Sequence, residues 1–527
     1  MRIIPPVLFR WSPRRPSEAV PMNRSLIDPV STRRLAGSGV LPRRARLLIG
    51  VSMAAGLALS GCSVSGTDGA AAERSATNDS ATDSEPVMTD EDNLSTFAVD
   101  IDTASYEYAR QSILNGWLPE SENVRPEEFV NHFRQDYPEP VDDGFTVTVD
   151  GAVAPEWYTT TDQPTHLIRV GLQTRTEPEE ERSDAHLTFV IDTSGSMDAE
   201  ERLPVVKESL RTLVDELRPT DAIAIVTYSD QARVVQPMTD VADRAEIHAA
   251  IQSLTVGGST NMEDGLALGY QAASEGFGED AINRVILLSD GLANTGSTEH
   301  DQILATARDK AADGITLLCV GVGMAYGDNL MEQLADNGDG FAVYFSTATQ
   351  ARKLFAEQLA ATLAVRAKDA KVQVTFDPEV VESYRLIGFE NRAVADEDFT
   401  NDSVDGGEVG PGHSVTALYA VTIAPEATGP ILSAAVRWLD PDTGVAAEAE
   451  GTTDLADTDV DLDSASQRLA VDLIAVAFAE ALRGNELATG LDLATLADQA
   501  SRLAEATEDT DVVELAELIA AAHSLRG

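Results

Sequence analysis

Between residues 187 and 345 the chain alternates short, mostly apolar runs with stretches of helical spacing, and this pattern restricts the fold more than any other feature. Leu187-Thr188-Phe189-Val190-Ile191 is apolar without alternation, as expected of a strand covered on both faces. In residues 202–217 the apolar positions Leu203, Val206, Leu210, Leu213, Val214 and Leu217 recur with the spacing of one helix face. Residues 222–228, 284–288, 315–320 and 341–345 read as further strands, and 232–235 as a hairpin edge strand. Residues 262–273, 300–312, 330–334 and 350–363 read as helices. The alternation predicts an α/β fold, a doubly wound, mostly parallel sheet with helices on both faces. In such a sheet ligands bind at the carboxyl ends of the strands.

Polar residues gather at those ends. Asp192-Thr193-Ser194-Gly195-Ser196-Met197 follows the first strand, Gly257-Gly258-Ser259-Thr260-Asn261 precedes the helix at 262, and Ser289-Asp290-Gly291 follows the strand at 284–288. The three loops fall on one rim and offer two carboxylates and several hydroxyls. An oxygen-only donor set suits a hard cation, Mg²⁺ or Mn²⁺, better than zinc. The alternative reading is that these residues serve only as caps and turns.

Asp192-x-Ser194-x-Ser196, with Thr260 and Asp290 in later loops, resembles the metal-ion-dependent adhesion site of von Willebrand factor type A domains. All five positions are filled, and the resemblance covers residues 183–365. It implies a Rossmann-like domain in which Ser194, Ser196 and Thr260 contact the metal directly. It also implies that Asp192 and Asp290 hold the ion largely through water, and that a carboxylate from a partner protein completes the coordination. Asn93-Leu94-Ser95-Thr96-Phe97-Ala98-Val99-Asp100-Ile101-Asp102-Thr103-Ala104-Ser105-Tyr106, Val124-Arg125-Pro126-Glu127-Glu128-Phe129-Val130-Asn131-His132-Phe133 and Tyr384-Arg385-Leu386-Ile387-Gly388-Phe389-Glu390-Asn391-Arg392 are similar to segments of bacterial YfbK-like lipoproteins that carry such a domain.

The flanks read as support. Residues 145–149 and 166–173 have strand character before the central domain. Val372, Val374 and Phe376 alternate after it, as do 415–423 and 431–438. Strands from both sides are expected to join in one β-sandwich-like domain into which the central domain is inserted. Residues 467–482, 491–504 and 512–523 are Ala-rich and amphipathic, and predict a carboxyl-terminal helical region. The expected organisation is 1–61 lipoprotein signal peptide, 62–92 disordered tether, 93–182 amino-terminal flanking domain, 183–365 type A domain, 366–450 β-rich flanking domain and 451–527 helical region.

Charge separates the front of the chain from its body. Residues 1–61 hold ten arginines and only two acids, Glu18 and Asp28, whereas the whole chain has 38 Lys+Arg against 88 Asp+Glu and a net charge of −50. A basic front before an acidic body suggests a targeting segment of an exported protein. Arg43, Arg44 and Arg46 precede an apolar run at 47–59, which ends in Leu59-Ser60-Gly61-Cys62. The run has the length of a signal-peptide core and is too short to span a bilayer. The ending resembles a bacterial lipobox, which implies a diacylated Cys62 and an anchor on the extracytoplasmic face of the cell membrane. Translation starts at either Met1 or Met22. Ser/Ala/Thr/Asp-rich residues 63–92 carry too little apolar surface to fold. Cys319 reads as a buried strand residue.

Composition excludes several functions. The acidic balance argues against nucleic-acid binding. None of the five lysines follows a glycine, so there is no nucleotide phosphate loop. The chain has no HExxH, and two cysteines cannot build a Cys-rich zinc site. Asp100 and Asp102 alternate onto one face of an expected strand, which offers a second two-carboxylate cation site. Asp457-Thr458-Asp459-Val460-Asp461-Leu462-Asp463 resembles the start of a calcium loop, but Leu462 and Arg468 stand where Gly and Glu belong, so an acidic linker is expected. Gly412-His413-Ser414 opens a strand and lacks the final glycine of a nucleophile elbow. With no general base beside the expected metal, the chain reads as a binding protein and not an enzyme. An envelope scaffold with a non-essential metal site is the alternative, ahead of a metal-assisted hydrolase.

Overall fold

The computed structural model describes residues 86–99, 101–155, 158, 165–177, 182–199, 202–290, 297–323, 329–345, 350–351, 355, 365–441, 443–484 and 492–526. The expected signal peptide, Cys62, most of the expected tether and nearly all of the expected helix at 350–363 lie outside them. The strands are β1 (Val87–Met88), β2 (Leu94–Ala98), β3 (Phe145–Val153), β4 (Thr165–Thr174), β5 (Asp184–Asp192), β6 (Ala222–Tyr228), β7 (Arg233–Asp240), β8 (Ala281–Ser289), β9 (Ile315–Val322), β10 (Ala342–Phe345), β11 (Ala367–Phe376), β12 (Val381–Ile387), β13 (Gly407–Val409), β14 (Ser414–Ile423), β15 (Pro430–Leu439) and β16 (Ala446–Asp454).

The central sheet has the order β10-β9-β8-β5-β6-β7. Its neighbours are parallel except β7, which returns antiparallel along β6. This is the doubly wound sheet that the apolar runs predict. Alternate residues of each strand feed two cores. Phe189, Ile191, Ile223 and Ile225 pack under the helices Leu203–Glu216 and Arg244–Ser253. Val190, Val226, Val285 and Leu287 pack under Met262–Glu275, Ser297–Ala312 and Asn329–Asn337. Each such side chain, fully buried, contributes about 1.5–3 kcal/mol. The helix Met262–Glu275 lies flush on the sheet because Gly265 and Gly269 face it one turn apart. A Cβ at Gly269 would sit 2.2 Å from Val190 Cγ2, and one at Gly265 2.6 Å from the Tyr228 ring. Cys319 is buried in β9.

Two further sheets combine strands from before and after the central domain. One runs β1-β12-β14-β4-β3, antiparallel throughout. In the other, β11 pairs with β15 on one side and with β2 and β13 on the other, and β15 pairs with β16. Their shared core joins Phe97, Phe145, Ile168 and Val170 to Val372, Phe376, Tyr419 and Trp438. The central domain is therefore inserted in a β-sandwich, as the strand patterns predict.

The helices Gln467–Arg483, Leu493–Thr507 and Thr510–Arg526 form the carboxyl-terminal helical region. They pack with helices Ala104–Leu114 and Pro126–Asn131 from the other end of the chain, through Tyr106, Phe129 and Phe133 against Phe478, Leu496 and Leu515. A buried network ties this layer to the sandwich. Asp472 accepts from Arg169 Nη1 (2.9 Å) and Gln135 Nε2 (2.7 Å), and Arg169 also pairs with Asp150 (2.7 Å). Among the described residues no helix is long and apolar enough to cross a membrane.

The YfbK-like segments meet where the central domain joins its flanks. Arg125 pairs with Glu332 (3.0 Å) and Arg392 with Asp336 (3.1 Å), one turn apart on the helix Asn329–Asn337. Asp102 corrects the expectation of a strand-borne cation site. Strand β2 ends at Ala98, Asp102 lies beyond it, and its carboxylate accepts from Ala342 N (3.2 Å) and faces Arg392 (3.5 Å). Asp100 lies outside the described residues. The run at 457–463 forms no calcium loop either. Val460 accepts from Val153 N (2.9 Å), and Arg468 pairs with Asp136 and Asp509.

Candidate metal centre

In the central sheet the chain winds outward from β5 through β6 to β7, then returns to the other side of β5 with β8. The carboxyl ends of β5 and β8 thus flank the point where the winding reverses, which is where such sheets leave a crevice. Asp192 is the last residue of β5, and Asp290 follows the last residue of β8.

Asp192 is fully buried and organises the first loop. Its Oδ1 accepts from Ser194 N (2.7 Å), the short side-chain turn that Asp commonly makes, and its Oδ2 accepts from Ser289 Oγ (3.3 Å). Burial pushes the Asp192 carboxyl above the usual range, and the nearby Asp290 adds to that push against the hydrogen bonds from Ser194. Ser194 Oγ lies 3.0 Å from Ser196 Oγ. The two hydroxyls of the Ser-x-Ser motif therefore sit side by side on the same turn.

The loop carrying Thr260 is stitched to this turn. Gly257 N donates to Thr193 O (2.8 Å), Gly195 N to Gly258 O (3.2 Å) and Asn261 N to Ser229 O (3.0 Å). Gly258 takes a φ of +94°, a conformation open to glycine, and Asp230 packs against it. Asp230 Oδ1 accepts from both Ser259 N (2.8 Å) and Ser259 Oγ (2.6 Å), which holds its carboxyl below the usual range. Asn261 caps the helix Met262–Glu275 through Asp264 N (3.2 Å), so Thr260 is fixed at the entry of a helix seated against β5 and β6.

Asp290 is 1% exposed. Its Oδ2 accepts from Arg202 Nη1, while its Oδ1 is buried without a hydrogen-bond partner among the described residues. A buried carboxylate oxygen without a donor is costly, and a cation is one way to satisfy it. Two buried carboxylates, a hydroxyl pair and a third hydroxyl on a pinned loop fit a hard divalent ion. Asp192, Ser194, Ser196, Thr260 and Asp290 are the residues that would hold it.

Two contributors were missed from the sequence. Asp230 lies just beyond the end of β6, so the strand-end rule that selects Asp192 and Asp290 also points to it. Arg202 carries no motif signal and acts only through the fold. The described residues also contain a group of three carboxylates, Asp369, Asp405 and Glu408, whose oxygens lie within 4.8 Å of one another. It belongs to the sandwich and is separate from the rim.

Comparison with known proteins agrees with this architecture. Three family models match, described as von Willebrand factor (residues 73–163), von Willebrand factor type A domain (186–357) and Uncharacterized protein YfbK, C-terminal (361–525). Uncharacterized protein YfbK of Escherichia coli (strain K12) is 39% identical over 339 residues, covering 63% of this chain and 58% of that protein. Uncharacterized protein sll0103 of Synechocystis sp. is 28% identical over 36% of this chain and 44% of its own length. The chain thus spans less than two thirds of the length of these relatives. Among solved structures, von Willebrand factor type A from Catenulispora acidiphila aligns over 72% of this chain and 89% of its own, at 18% identity and a TM-score of 0.42. The chain carries a von Willebrand factor type A domain at residues 186–357 and a YfbK-type carboxyl-terminal domain at residues 361–525.

Proposed function

We propose that the chain is a binding module that recognises a protein partner through a divalent cation, Mg²⁺ or Mn²⁺, held on the rim at Asp192, Ser194, Ser196, Thr260 and Asp290. The observation that carries this reading is the convergence of two buried carboxylates on one rim, with Asp290 Oδ1 left without a donor among the described residues. When bound there, the ion would supply the positive charge that a carboxylate of the partner recognises. The chain's own residues fix the loops, bury the carboxylates and orient the hydroxyls. Among the described residues no general base is placed to activate a bound water, which favours binding over turnover.

The sandwich serves as the platform, since its strands β4 and β11 lead into and out of the inserted domain. A lipid on Cys62 would tether this platform to the extracytoplasmic face of the membrane. A Cys62→Ser variant should then leave the membrane fraction, and retention in that fraction would refute the anchor. For the binding reading, the full chain in detergent is immobilised and exposed to envelope extract with Mg²⁺ or with chelator. Proteins retained only with Mg²⁺, and lost with Asp192→Ala, are expected. An identical set retained in chelator would favour the scaffold alternative instead.

A further inference from the structure

Arg202 closes the turn between the Ser-x-Ser loop and the helix Leu203–Glu216. Its Nη1 donates to Asp290 Oδ2 and to the Ser196 carbonyl (2.9 Å), so one nitrogen bridges two loops that carry candidate ligands. Room for the side chain comes from Gly323, beyond the end of β9, where the backbone takes a φ of +90° and a Cβ would lie 3.0 Å from Arg202 Nε. Asp290 is fully shielded, whereas the arginine side chain is 23% exposed. The arginine side chain therefore reaches solvent, and the Asp290 carboxylate does not.

We propose that Arg202 is a built-in cation that competes with the divalent ion for Asp290 and so sets the affinity of the adhesion site. This deepens the metal-dependent reading above and rests on it. Asp192 and Asp290 together carry two negative charges when ionised, and the guanidinium balances one of them. It also occupies one oxygen of Asp290 as a directional, charge-assisted donor. An incoming dication meets a half-neutralised site and is repelled by the charge already there. Arg202 thus keeps the rim ordered without the ion and makes loading depend on the supply of ion.

The test is Mn²⁺ titration of the full chain in detergent, followed by calorimetry and by the electron-spin signal of free Mn²⁺. Arg202→Gln should bind Mn²⁺ at least tenfold more tightly than the wild type. Arg202→Met keeps the aliphatic stem along Gly323 without the charge, and should show the same gain. Arg202→Lys keeps the charge and should stay within about threefold of the wild type. Unchanged or weaker binding in both neutral variants would overturn the proposal, since a residue that merely positions Asp290 would lose affinity when removed. The Asp192→Ala variant separates the two failures. If it titrates like the wild type, no ion binds at this rim and the adhesion-site reading fails. If it loses the site while the neutral Arg202 variants match the wild type, only the role of Arg202 fails.

Discussion

Replacing Glu127 with Gln should stabilise the protein, and the gain should grow with pH. Glu127 lies on the short helix Pro126–Asn131, is 2% exposed, and neither carboxylate oxygen has a hydrogen-bond partner among the described residues. The backbone at Gly388 comes so close that a Cβ there would lie 2.2 Å from Glu127 Oε2. Burial, reinforced by Glu390 and Glu128 against the pull of Arg125, pushes the carboxyl up to about 8. The folded-state pKa thus lies above the unfolded one, and the native state binds the extra proton. The stability this provides is fully present below the ordinary glutamate pKa and is lost as pH rises through about 8. At about 1.4 kcal/mol per pH unit, the wild type loses roughly 3 kcal/mol between about pH 5 and pH 7.5 through this group. The Gln variant has no such slope. Urea unfolding followed by far-ultraviolet circular dichroism, run on both proteins across that range, measures the difference. Parallel pH dependences, or a variant less stable at every pH, would refute the argument.

Two other substitutions probe the packing. Asp472→Ala removes one of the two carboxylates that hold the buried Arg169, which keeps Asp150, together with one acceptor of Gln135, and should cost about 1–3 kcal/mol, read from the urea midpoint; no measurable loss would mean that the network is relieved elsewhere. Gly269→Ala drives a methyl into Val190 and should cost about 1–3 kcal/mol. It should also weaken Mn²⁺ binding by lifting the helix that carries Thr260 at its entry, so a variant with unchanged melting and unchanged titration would contradict the seating of that helix.

The parts of the fold legible in the sequence are those where one element carries one signal. Strands β5, β6, β8 and β9 are covered on both faces, so each is a mostly apolar run without period-two alternation. The strand β16, Ala-Ala-Glu-Ala-Glu-Gly-Thr-Thr-Asp, gives no such signal, because small residues and glutamates fill an edge that needs only main-chain pairing with β15. The carboxyl-terminal helices are visible from their spacing. Their packing with Ala104–Leu114 and Pro126–Asn131 is not, because that contact joins segments over 300 residues apart. At the rim, Asp192, Ser194, Ser196, Thr260 and Asp290 stood out because each follows a strand or precedes a helix. Arg202 did not, since its role depends on a fold that brings it across to Asp290. Asp102 misled for the converse reason. Alternation with Asp100 looked like a strand, but the strand ends earlier and the carboxylate is committed to Ala342 and Arg392.

The central claim is that the rim forms one saturable divalent-cation site. The measurement that tests it most directly is calorimetric titration of Mg²⁺ and Mn²⁺ into the full chain in detergent, beside its Asp192→Ala variant. Because the net charge of −50 attracts cations loosely over the whole surface, only the difference between the two isotherms counts. A single saturable site present in the wild type and lost in the variant is the predicted result. Superimposable isotherms would contradict it.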